Sequence, residues 1–158
     1  MTDLLALTLQ QPYATAIWPG PKRVENRPLP TVPLPLPRGG RWLALHAGKA
    51  WYPGGLEAVR RLWPECPHSQ AMPLGSLLGV FHVHAIREYT TRDPGLYAFT
   101  ELDRRLRDDP WAFGPWCLLI DDVRGLDRPI PCRGMLGCWR VPDAHVPALL
   151  ALIPGGAP

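Results

Sequence analysis

Lys22-Arg23-Val24-Glu25-Asn26-Arg27 gathers an ammonium, a carboxylate, an amide and guanidinium groups into six consecutive residues. Lysine can lose its proton when desolvated, so Lys22 suits either proton transfer or a phosphate contact. Glu25, three residues on, can act as a general base toward water or a ribose hydroxyl, or accept a hydrogen bond from the exocyclic amine of a base. The planar fork of Arg27 suits bidentate phosphate binding, and the Asn26 amide suits a base edge. Each has a plainer role open to it: Lys22 in an ion pair, Glu25 braced by Arg27 on one strand face, and Asn26 as a turn former. Composition singles out the lysines, because of 17 basic residues only Lys22 and Lys49 are Lys and the other fifteen are Arg, while Asn26 is the lone Asn.

Other groups with chemical capacity lie further along. His46 and Lys49 flank Gly48 at a strand end, where backbone can approach a phosphate and Lys can neutralise it; His46 alone reads equally as a satisfied strand histidine. Tyr13 and Trp111 are candidates to stack on a base, and the alternative for each is core packing. Trp42, Trp63 and Trp139 read as core. Cys66, Cys117, Cys132 and Cys138 form no C-x-x-C pair, and His82 with His84 lacks a third ligand. Neither a metal nor a cofactor site is indicated.

Residues 4–9 form a short apolar run expected to be a buried strand. Pro12 opens a helix that puts Tyr13, Ile17 and Trp18 on one face. The chain through Arg27 is held extended by Pro28, so that Glu25 and Arg27 face one way while Val24 and Asn26 face the other. Prolines across 28–37 exclude a central strand and predict a stiff crossover, with a protein-docking role as its alternative. A strand over 41–47, a helix over 56–63 and a strand over 77–86 follow, the last with Phe81 and Val83 opposite the histidines. A helix over 97–107, a strand over 116–123, another over 133–141 and a final helix capped by Asp143 through Leu152 complete the pattern. The alternation lacks a βαβ rhythm, which predicts an α+β fold: a small mixed barrel of about five to six strands with short flanking helices.

The 158 residues suit a single domain spanning 1–158, with the proline-rich loop 28–37 inserted and a flexible tail at 154–158. A net charge of +3 is too small by itself to mark a polyanion binder. The N-terminal residues do not look like a signal peptide, and no run approaches the roughly 20 apolar residues that span a bilayer. A cytoplasmic protein without membrane contact is expected.

Six blocks, in order, resemble one family: Gln11-Pro12-Tyr13-Ala14; Gly20-x-Lys22-x-x-Glu25-Asn26-Arg27; His46-Ala47-Gly48-Lys49-Ala50-Trp51; Gly79-Val80; Trp111-Ala112-Phe113-Gly114-Pro115-Trp116; and Pro131-Cys132-Arg133-Gly134-x-Leu136-Gly137. Together they resemble the ASCH domain, a relative of the PUA RNA-binding barrel, over nearly the whole chain. The resemblance implies a PUA-like barrel whose cleft, beside the first helix, receives RNA or a modified nucleoside. Lys22 and Glu25 become the expected catalytic pair, and Gln11, Tyr13, Asn26, Arg27, His46, Lys49 and Trp111 the expected RNA or nucleoside contacts. Some members are proposed as ribonucleases, and one branch deacetylates acetylcytidine with a Lys, a Thr and a Glu. Lys22 matches that lysine, but Glu25 stands at the threonine position, and no residue here is matched to the branch's glutamate. Three functions stay open: a binding module for RNA or a modified nucleoside, a hydrolase at the same cleft, and a protein-interaction domain using the proline-rich loop.

Overall fold

In the computed structural model, which describes residues 3–30, 32–33, 35–89 and 100–156, six strands form one mixed sheet. They are β1 (Leu5–Gln11), β2 (Val24–Arg27), β3 (Arg41–Trp51), β4 (Ser76–Glu88), β5 (Trp116–Pro131) and β6 (Cys138–Arg140), in the order β2-β5-β4-β3-β1-β6. The β1–β3 pair is parallel and every other pair antiparallel. Four short helices flank the sheet: α1 (Tyr13–Ile17), α2 (Gly55–Leu62), α3 (Glu101–Asp108) and α4 (Val146–Leu150). The molecule is thus a small α+β fold with the expected number of strands.

Apolar runs in β1 and β3 arise because both faces of these strands are covered. Leu7, Leu9, Leu43 and Leu45 point into the main core with Phe81, Val83, Leu118 and Ile120. Their neighbours Ala6 and Ala44 point the other way, where they meet Val80, Trp139 and Leu149 of α4. A third cluster seats α2 and α3, through Val59 and Leu106, against Ala85, Cys117 and Leu119. Although β2 and β1 stand four places apart in the strand order, Arg27 of β2 approaches the Thr8 carbonyl of β1 at 3.5 Å. The sheet therefore curls until these strands face each other, and α1 packs Ala14 and Ile17 into the interior. Within the proline-rich segment, Val32 is buried in that interior and Leu36 packs on it, so the segment straps the core.

Several boundaries differ from expectation. β3 runs on through Trp51 and β5 through Pro131, because each is paired along its length, including Gln11 with Trp51 and Ser76 with Pro131. Residues 133–137 are not strand; β6 comprises only Cys138–Arg140. The N-cap position of α4 is His145, which makes no side-chain capping bond, rather than Asp143, whose carboxylate instead accepts from Arg140. Pro147, whose missing N–H is harmless only in a first turn, sets the helix start beyond reach of an Asp143 cap. α3 opens at Thr100 with a capping box to Asp103, and the earlier part of the expected helix, from Tyr97, lies outside the described residues.

Candidate functional site

Lys22 reaches its place through a tight reversal after α1. The Lys22 amide donates to the Ala16 carbonyl at 2.8 Å, and the Arg23 guanidinium donates to the carbonyls of Ile17, Gly20 and Lys22. β2 then aligns on β5, Glu25 opposite Leu118 and Asn26 opposite Cys117. Strand alternation sends Glu25 and Arg27 to one side. The Lys22 ammonium donates to Glu25 Oε2 at 2.5 Å, and Arg27 Nη1 stands 3.5 Å from Glu25 Oε1. One carboxylate thus lies between two cations, with Lys22 only 1% and Glu25 6% exposed. The ammonium also sits 5.7 Å from the centroid of the Tyr13 ring. Burial, then the neighbouring Tyr52 and Glu25, pushes the Tyr13 hydroxyl above its ordinary pKa, so it remains a proton donor at neutral pH.

These groups form the floor of a hollow of about 1690 Å³. Lys49 and Arg133 stand exposed at its mouth, together with Phe113, Met135 and the 99% exposed Leu136. Residues 132–137, between β5 and β6, make one wall, which His46 ties down. Trp139 Nε1 donates to Thr8 Oγ1 at 2.9 Å, and His46 bridges Thr8 Oγ1 through Nδ1 and the Cys132 carbonyl through Nε2. A carbonyl only accepts, so Nε2 carries the proton and Thr8 donates to Nδ1. Burial holds His46 below its usual pKa, partly offset by the Cys132 contact, in keeping with this neutral tautomer. Gly134 packs directly on the imidazole; a Cβ there would lie 2.3 Å from His46 Cε1.

Seven of the nine sequence-predicted site residues line this hollow: Tyr13, Lys22, Glu25, Asn26, Arg27, His46 and Lys49. Gln11 and Trp111 do not. Gln11 is 0% exposed; its Oε1 accepts the Thr15 amide and its Nε2 donates to the Pro73 carbonyl, so its amide ties α1 to a neighbouring loop. Trp111 is buried in the cluster that seats α2 and α3. Asn26 borders the hollow with its amide already engaged: Nδ2 donates to the Trp111 carbonyl, while Oδ1 accepts from the Phe113 and Gly114 amides and the Cys117 thiol. It holds the 111–114 turn, with its Oδ1 taken up by that turn. His46, engaged at both nitrogens, likewise supports a wall.

Sequence reasoning passed over Thr8, Tyr52, Phe113, Arg133, Met135 and Leu136, all of which line the hollow. Arg133 and Leu136 lie inside the last of the six family-like blocks, and Phe113 inside the one before it, so position within those blocks was the available signal. Thr8 and Tyr52 carried none, since only the pairing of β1 with β3 brings them there. Elsewhere, His82 contacts Asp121 at 2.6 Å and His84 approaches the same carboxylate at 3.8 Å. Among the described residues no group of three or more His, Cys, Asp or Glu side chains is arranged to hold a metal. No helix among them is long and apolar enough to cross a membrane.

Fold and site together define a small α+β domain with a cation-lined hollow between its first helix and the loop before its last strand. No family model matches the chain, and no curated protein matches it. Among solved structures it is similar to a mutant ZmASCH protein from Zymomonas mobilis, at 18% identity, over 95% of this chain and 96% of that one, with a TM-score of 0.49. At that identity and score the likeness adds no weight to the functional reading, which rests on the hollow.

Proposed function

We propose that the hollow receives an RNA segment or a modified nucleoside, with phosphate toward the rim cations Lys49 and Arg133 and the base toward the floor at Glu25 and Tyr13. The distribution of charge carries this reading. Lys22, Arg27, Lys49 and Arg133 line the hollow against a single carboxylate, Glu25, in a chain whose formal charge is only +3. The charges elsewhere therefore cancel, and the net positive charge is concentrated in one concavity, where it can attract a polyanion. The hollow, at about 1690 Å³, exceeds the roughly 300–1,000 Å³ usual for small-molecule pockets. That leaves room for a nucleotide and its neighbours. The Tyr13 and Phe113 rings offer apolar faces on which bases stack without regard to sequence.

Fluorescence anisotropy of labelled single-stranded RNA across a salt series tests it. Wild-type affinity is expected to fall as salt rises, and Lys49→Ala or Arg133→Ala to reduce the log–log slope by about 0.7 for each phosphate that the variant no longer neutralises. Absence of binding to RNA and to nucleosides at low salt would overturn the proposal.

The Lys22–Glu25 contact supports a second reading, in which the floor is an active site. Glu25 would take the proton of an attacking water, and Lys22 would face the negative charge developing on the oxygen of an amide or phosphodiester. For an acetylated cytidine, water adds to the acetyl carbon, the C–N bond breaks, and acetate and cytidine leave. Mass spectrometry of acetylated cytidine and RNA incubated with wild type and Glu25→Ala distinguishes the readings: product formed by wild type alone supports turnover, and bound but unchanged ligand excludes it.

A further inference from the structure

A second concavity, of about 640 Å³, opens on the surface of α2 and is lined by Tyr52, Gly54, Leu56, Glu57, Arg60 and Arg61. It shares Tyr52 with the main hollow. Resting on the RNA reading above, we infer that the hollow is one end of a longer single-stranded RNA track, which passes Tyr52 and continues over the exposed face of α2 with Arg60 and Arg61 contacting phosphates.

Three features carry this extension. Tyr52 is half-exposed and stands edge-on to Tyr13, ring centroids 5.4 Å apart at 75°, so two aromatic side chains mark the passage between the concavities. The passage is rigid: the Tyr52 amide donates to the Gln11 carbonyl at 2.7 Å, and Gly55 lies so close to α1 that a Cβ would come within 2.9 Å of Pro12 Cδ. α2 therefore starts against α1, and the spacing between the concavities is set by backbone. Finally, Arg60 and Arg61 are both exposed. Arg61 pairs with Glu57 across a turn of helix, both side chains about three-quarters exposed, which makes a weak contact that exchanges readily for phosphate. Arg60 makes no ion pair among the described residues. Cations interleaved with aromatic faces are what a single strand recognises, and Tyr52, which lines both concavities, links that pattern on α2 to the hollow.

The test compares a trinucleotide with a nonanucleotide of mixed-sequence single-stranded RNA, each measured by anisotropy against wild type, Arg60→Glu/Arg61→Glu, and Arg124→Glu/Arg128→Glu. The last pair alters exposed arginines of β5 that line neither concavity. Wild type is expected to bind the nonamer about tenfold or more tighter than the trimer. Arg60→Glu/Arg61→Glu is expected to abolish that gain with trimer affinity kept, whereas the β5 variant keeps the gain. A trimer that binds with no gain for the nonamer overturns the track and leaves the hollow as the whole site. The track also falls if the gain survives Arg60→Glu/Arg61→Glu, or if the β5 variant removes it equally. Failure of both oligomers to bind overturns the RNA reading itself and the track with it.

Discussion

The floor and the rim of the hollow carry the same charge in opposite surroundings. Lys22 is buried at the floor and reaches Glu25 at 2.5 Å, whereas Lys49 and Arg133 stand exposed at the mouth. A buried pair is held to one geometry by the cost of leaving either charge without the other, while an exposed cation stays mobile and is screened by salt. The floor is thus suited to discriminate among ligands, and the rim to attract them. Placing four cations in one concavity does not make them equivalent.

The largest effect that would break this contrast is on stability. Glu25→Leu, which leaves the buried Lys22 ammonium beside a vacated carboxylate site, is expected to cost about 3–5 kcal/mol in denaturant unfolding, and Lys22→Met/Glu25→Leu to recover much of it. Rim substitutions at Lys49 or Arg133 are expected to stay within about 0.5 kcal/mol of wild type. Equal costs at floor and rim would erase the distinction.

A smaller effect is expected at the wall between them. Gly134→Ala forces a methyl against His46 and Thr8 Oγ1, which would lie 2.3 and 2.8 Å from the new Cβ. A loss of about 1–3 kcal/mol is expected, as for an overpacked core. Ligand affinity should drop in the same variant, because the displaced segment carries Arg133. Unchanged stability and affinity would show that His46 does not brace the wall.

The smallest expected effect is a pH dependence through His46. Its folded pKa is held below the unfolded value, by burial first. The unfolded chain therefore binds the proton more readily, and the stability this histidine contributes is complete above about pH 6.5, then declines as pH falls through the folded pKa. Urea unfolding of wild type and His46→Gln between neutral and mildly acidic pH should show a shallower decline in the variant. Parallel curves would remove His46 as the titrating group.

Much of the floor was legible in the chain because it is local. Lys22, Glu25 and Arg27 lie within one reversal and one short strand, so alternation alone sets Glu25 and Arg27 on a common side. The six-strand α+β frame was legible too, since covered strands leave continuous apolar runs and prolines mark their ends. Gln11, Asn26 and Trp111 show the limit of such reading: their types suit ligand contact, yet each also engages neighbours distant in sequence, Pro73 for Gln11, the 111–114 turn for Asn26 and the cluster seating α2 and α3 for Trp111. A side chain's type states what it can bond, and only the packed neighbours decide whether that capacity is left over.

What the sequence determined by itself was the set of strands, the extended Lys22-to-Arg27 segment and the rarity of its lysines. Only the tertiary structure decided that a charge of +3 is gathered in one hollow, because curling the sheet and returning residues 132–137 past His46 bring together cations more than one hundred residues apart. Coulomb attraction depends on separation through space, which chain order does not specify.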